Sequence, residues 1–193
     1  MTQFALEWIV EQFDPRVVII QRHPLNVVSS WLSWNERIVR DLNTRPAIRD
    51  SYIQLVGEAP PPPGESQLAL TAWSVGLLST VLARRAAAHP TWTIITHESL
   101  CAEPRAEFHA LFATLGLTWT DEADRFLEKG YLMPTFARSD QTPGPEDAST
   151  VTREQPNRWK TRLTGEQVAE IGQILDQFPS RGWVKAPEAV AAT

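Results

Sequence analysis

Val17, Val18, Ile19 and Ile20 form an unbroken β-branched run with no polar residue interleaved. Such a run fits a short strand buried on both faces, as in a parallel sheet, and argues against a two-sided amphipathic hairpin. A second run, WTIIT from Trp92 to Thr96, has the same character. The segments between them read as helices, and two strands joined through long helical crossovers run parallel. This order constrains the chain to an α/β fold.

Helical segments surround the two strands. Thr2 to Phe13 reads as a short helix with Phe4, Leu6, Trp8, Ile9 and Phe13 as its apolar residues, stopped by Asp14 and Pro15. Pro24 suits a first turn, so a helix from Leu25 to about Leu42 is expected, with Val27, Val28, Trp31, Leu32, Ile38 and Val39 as its stripe. Residues 43–66 read as irregular, and Pro60 to Pro63 as a stiff extended stretch. Ser66 then caps a helix over Gln67 to Ala88, which carries Leu70, Trp73, Leu77 and Val81 at helical spacing. Further helices are expected over Glu103 to Leu115, ended by Gly116, and over Thr120 to Lys129. Residues 130–156 read as a long loop. Thr164 with Gln167 three residues on forms a capping box ahead of Val168, Ile171 and Leu175. Residues 186–193 read as a flexible tail.

Composition narrows the function classes. The chain has 193 residues, 42% hydrophobic and 21% charged, which suits one globular domain, or one domain plus an appendage, and excludes collagen, coiled coil and wholesale disorder. A domain of this size buries about 70% of its unfolded-chain surface. No window approaches the ~18 apolar residues of a membrane span, and MTQFALEWIVEQF lacks the basic stretch and apolar run of a signal peptide. Cys101 is the only cysteine, so the chain cannot form an internal disulfide or a CxxC metal site. A reducing, cytoplasmic compartment is the expectation.

The net charge of −5 disfavours bulk nucleic-acid binding, but its distribution is uneven. Residues 15–49 hold six Arg against Glu36 and Asp41, and residues 151–162 hold Arg153, Arg158, Lys160 and Arg162 against Glu154. Two basic segments on an acidic chain suit a small anionic ligand, with solvated arginines on helix faces as the alternative. The sharpest feature is VVIIQRHPLNVVSSW, residues 17–31. The strand delivers Arg22 at its carboxyl end, where open parallel sheets bind ligands. Ser30, eight residues on, lies in the second turn of the following helix, and an Arg fork with a hydroxyl can hold a phosphate. His23 reads as a turn residue, His89 and His109 as helix-surface residues, and no His pairs with another or with Cys101 as a metal ligand would.

A strand followed by R-x-P, with Ser eight residues after the Arg, resembles the 3'-phosphate-binding segment of sulfotransferases that use 3'-phosphoadenylyl sulfate. Bacterial members often read RHPLDVV; here it is RHPLNVV, with Asn26 in place of the acid. Three further segments agree in order. Ala72-Trp73 is similar to the family's Trp-containing helix. THESLCAEPRAEFHALFATLGL, residues 96–117, is similar to the "YEDL...P......L...LGL" segment, with His97 for Tyr and Ser99 for Asp. NRWKTRLTGEQVAEI, residues 157–171, is similar to the closing "RW...LT.EE...I" segment.

The resemblance implies a P-loop-NTPase-like parallel sheet with flanking helices. It also implies a sulfuryl transfer from 3'-phosphoadenylyl sulfate to a hydroxyl or amine, leaving adenosine 3',5'-bisphosphate. It places Arg22 and Ser30 on the 3'-phosphate, Arg153 in a loop that closes over the donor, Arg158 beside it, and His97 against the adenine. Trp159 reads as a core anchor for the last helix. The family's 5'-phosphosulfate loop and its catalytic base have no counterpart: no GxxxxGK[ST] occurs, and only 16 residues precede the first strand. The chain thus looks like the C-terminal two-thirds of a sulfotransferase, a partial domain over residues 1–185 without the N-terminal P-loop strand and helix. No catalytic residue and no metal ligand is assigned. The alternative is a non-catalytic truncated module binding the bisphosphate or a protein partner. The acceptor is not legible. In the family the P-loop strand lies between the two strands found here. Without it, either these strands pair directly, or a second chain covers the exposed sheet edge in a homo-oligomer, or the fold is poorly stable.

Overall fold

The computed structural model describes residues 2–34, 37–128 and 155–179. They are mixed α/β and mostly helical, with a two-stranded parallel sheet. The chain divides into two compact units, Met1–Ile94 with Asn157–Thr193, and Ile95–Pro156. Residues 186–193, expected as a tail, lie outside the described residues.

In the first unit, helix α1 (Thr2–Phe13) leads into strand β1 (Val18–Gln21), followed by α2 (Pro24–Trp34) and α3 (Arg37–Thr44). The stretch expected as a helix over residues 25–42 is helical on both sides of residues 35–36, which lie outside the described residues. Helix α4 (Pro46–Val56) lies where an irregular stretch was expected. Its signals were Pro46 at the first helical position and the i, i+4, i+8 series Ile48, Tyr52 and Val56, of which Tyr52 and Val56 are buried. Helix α5 (Gln67–Ala88) runs as expected, with the Ser66 hydroxyl accepting from the Ala69 N–H. Residues 60–64 carry no regular structure, and the Pro60 carbonyl accepts from the Trp73 indole N–H at 2.9 Å.

Strand β2 (Thr93–Thr96) pairs with β1, and the division between the units falls within it. The two strands are neighbours, which is the first of the three arrangements expected. The expectation of burial on both faces fails. Ile19 and Ile95 are buried, but Ile20 is 59% and Ile94 46% exposed. Neighbouring strand residues point to opposite faces, and among the described residues only one face of this short sheet is covered.

Helix α5 is the centre of the first unit. Leu42, Tyr52, Val56, Trp73, Leu77, Val81 and Phe178 form one buried cluster on it. Ala72 and Val75 form a second with Val28 of α2 and Ile171 of α10 (Gly165–Leu175). A helix packed on several sides must bury its polar residues too. Thr71, Ser74 and Thr80 return their hydroxyl protons to the carbonyls of Gln67, Leu70 and Gly76 at 2.7–2.8 Å. Helix α10 starts on the expected capping box, with both halves formed: Thr164 Oγ1 accepts from the Gln167 N–H, and Gln167 Oε1 from the Thr164 N–H.

Helix α1 is fastened by packing and charge. Leu6 and Val10 pack on the Ile19–Ala86–Trp92 cluster, while Trp8 and Phe13 turn outward. Glu7 reaches Arg85 Nη1 at 3.3 Å and His89 Nε2 at 2.9 Å, and the His89 ring lies flat on Trp92. His89 is thus tied into the end of α5 rather than free on a helix surface.

The second unit has α6 (His97–Ala102), α7 (Pro104–Thr114) and α8 (Asp121–Glu128). Helix α6 was not anticipated; Thr96 caps it by accepting from the Ser99 N–H. Helix α7 ends before Gly116, whose φ of 61° is the left-handed conformation expected of a helix-ending glycine. His109 is exposed and stacks on Trp119 at 3.9 Å.

Two predictions follow from the α5 core. A Cβ at Gly76 would collide with the Phe178 ring, whereas one at Gly172 in α10 would meet nothing within 4 Å. Helix propensity alone favours Ala by about 1 kcal/mol at both. Gly76→Ala should therefore lower stability by about 1–3 kcal/mol, and Gly172→Ala raise it by about 0.5–1 kcal/mol, in urea unfolding of the two variants. Burial raises the Tyr52 pKa above the ordinary tyrosine value, opposed by the Arg85 charge. A raised folded-state pKa gives stability that is fully present below the ordinary tyrosine value of about 10 and lost as pH rises from there through the higher folded-state value. Tyr52→Phe should make the alkaline decline of unfolding free energy shallower.

Candidate functional site

The turn between β1 and α2 carries the site. Gln21 ends the strand, Arg22 follows half-buried at its carboxyl end, and Pro24 opens α2. His23 organises the turn. Its carbonyl accepts from the N–H groups of Asn26 and Val27 at 2.9 and 3.2 Å, and its Nδ1 accepts from the Leu25 N–H at 3.3 Å. Pro24 has no N–H to offer. The first N–H groups of α2 are therefore already bonded to His23, so an anion here would be met by side chains rather than by the open helix end.

Helix α9 (Trp159–Arg162), in the closing basic segment, docks onto this turn. The Trp159 ring lies parallel to the His23 ring, with centroids 5.6 Å apart and planes 2° apart. The Trp159 backbone N–H donates to Asn26 Oδ1 at 3.3 Å. Lys160 Nζ sits 5.7 Å from the centre of the Trp159 ring, within cation–π range. Trp159 is half-buried and lies against the β1–α2 turn, not in the core where it was expected as an anchor for α10. His23 likewise does more than turn the chain: it caps α2 and stacks.

The tertiary fold thereby brings Arg22 and Arg158, from the two basic segments, next to a pair of rings in contact. Arg158 is exposed and immediately precedes Trp159; Arg22 immediately precedes His23. Ser30 is half-buried in the second turn of α2, while its neighbour Ser29 is buried with its hydroxyl donating to the Asn26 carbonyl at 3.1 Å. Arg153 lies outside the described residues.

His97 belongs to the second unit, as the first residue of α6. There its ring nitrogens lie 3.6 and 3.7 Å from the sulfur of buried Cys101, which also faces Gln155 Oε1 at 4.0 Å. This contact between His97 and Cys101 was not anticipated from the sequence. The signal was the i, i+4 spacing, which brings side chains together only on a helix, and α6 itself was not recognised. Among the described residues no group of three or more His, Cys, Asp or Glu could hold a metal ion, and no helix is long and apolar enough to cross a membrane.

Comparison with protein-family models, with curated proteins and with solved structures gives no match to this chain.

Buried Cys101 gives the prediction for this region. A thiol reagent should label it in the native protein at a small fraction of the rate seen in denaturant, since thiolate attack requires access to solvent. Absorbance from a chromogenic disulfide reagent, with and without urea, checks this.

Proposed function

We propose that this chain carries the 3'-phosphate-binding part of a sulfotransferase. It would hold the adenosine 3',5'-bisphosphate moiety of 3'-phosphoadenylyl sulfate through Arg22 and Ser30, with Arg158 alongside. The observation that supports this most is the docking of α9 on the β1–α2 turn. Two sequence segments that resemble separate parts of that family, RHPLNVVSS and NRWK, meet there through His23, Asn26 and Trp159. A guanidinium at the carboxyl end of a parallel strand, with a hydroxyl in the next helix, supplies a fixed cation and a donor for phosphate oxygens.

In sulfuryl transfer the bond from sulfur to the bridging phosphate oxygen breaks and a bond from sulfur to the acceptor oxygen or nitrogen forms. The acceptor proton passes to a base, and charge builds on the leaving phosphate. The role proposed for Arg22 and Ser30 is remote from that centre: they fix the nucleotide, and binding energy realised there positions the sulfuryl group. No residue of this chain is assigned as the base.

Calorimetry with adenosine 3',5'-bisphosphate and with 5'-AMP tests the reading. The bisphosphate should bind and 5'-AMP, lacking the 3'-phosphate, should bind much more weakly. Arg22→Ala should cost about 2–3 kcal/mol, or some 30- to 150-fold in affinity, and Ser30→Ala about 0.5–1.5 kcal/mol. Equal affinity for the two nucleotides, or an Arg22→Ala variant that binds as wild type, would overturn it.

A further inference from the structure

We infer that Asn26 is a positioning residue. It caps α9 from outside that helix and so sets Arg158 and Lys160 against the Arg22 turn. The inference rests on the nucleotide-binding reading above and assigns how that site is assembled.

Helix α9 has only four residues, Trp159 to Arg162, too few to be stable by itself. Its N-terminus has no cap of its own: Arg158 takes helical backbone angles and its side chain makes no capping hydrogen bond. The first-turn N–H groups of a helix have no partner within it and need one from elsewhere. For Trp159 that partner is Asn26 Oδ1, 133 positions away in sequence. A backbone N–H only donates, so the Asn26 amide is oriented with its oxygen toward α9. Asn26 is 1% exposed, so the acceptor side of this part-buried bond lies out of solvent, and its loss leaves the N–H with a poorer partner. The His23–Trp159 stack adds contact on the same side of the turn but leaves the N–H unanswered.

The chemistry at Asn26 is thus an acceptor requirement. Asp meets it, through a charge-assisted bond. Leu fills a similar volume and cannot accept. Because Arg158 and Lys160 flank Trp159 directly, losing the cap frees both cations from the β1–α2 turn without removing any charge from the chain.

The test compares wild type, Asn26→Leu and Asn26→Asp in two measurements: amide hydrogen exchange over residues 158–163, and calorimetric affinity for adenosine 3',5'-bisphosphate. Asn26→Leu should exchange at least about tenfold faster over 158–163 and bind about tenfold more weakly, with amides around Trp73 in α5 still protected. Asn26→Asp should restore both to within about threefold of wild type. If Asn26→Leu also loosens α5, Asn26→Ser, too short to reach the Trp159 N–H, replaces it in the comparison. Wild-type exchange in Asn26→Leu, faster exchange with unchanged affinity, or an Asn26→Asp variant as defective as Asn26→Leu would each overturn the inference. If wild type does not bind the bisphosphate, the nucleotide-binding reading falls, and the exchange rates alone then decide whether Asn26 caps α9.

Discussion

The first unit depends on the burial of α5 from several directions. Thirteen of its 22 residues are buried, among them Trp73, Leu77 and Val81 toward α3 and α4, and Ala72 and Val75 toward α2 and α10. An ordinary surface helix offers one apolar stripe, and a helix packed on several sides must instead settle its polar residues internally. Thr71, Ser74 and Thr80 do this by bonding back to the carbonyl one turn before, while Gly76 leaves room for Phe178. Every other helix described in that unit is short, and few short helices are stable without such a surface to pack on.

That surface also accounts for the site. α2 and α10 pack on α5, so the turn ahead of α2 and the segment leading into α10 end up beside one another. Once there, Asn26 and His23 fix the register of α9: one gives it the acceptor its N-terminus lacks, the other a flat ring against Trp159. Arg22 and Arg158 are neighbours of these two contacts in sequence. Their placement follows from backbone and ring packing, not from attraction between like charges.

Much of this was legible in the sequence, for local reasons. The capping box at Thr164, the Ser66 cap, the prolines at helix starts and the glycine at 116 depend on neighbours within a turn or so, and each stands where the pattern put it. Helix α4 was missed because the prolines at 60–63 mark the neighbouring stretch as loop, while the signal that won was Tyr52 and Val56 facing α5. Helix α6 is six residues long, too short for a period to declare itself, and with it went the contact between His97 and Cys101. The roles of His23 and Asn26 were illegible because the partner of each is Trp159, far along the chain.

The sequence by itself determined that VVII and TIIT are strands of parallel sense, the caps of the longer helices, and the placement of Arg22 at a strand end, because these rest on side-chain branching, capping and steric limits that act within a few residues. Only the tertiary structure decided which face of the sheet is covered, that the two strands pair directly, and that the second basic segment meets the first at the His23–Trp159 stack. Those outcomes turn on burial and on single acceptors such as Asn26 Oδ1, where a helix-end N–H finds its partner across most of the chain's length, and no local pattern encodes that distance.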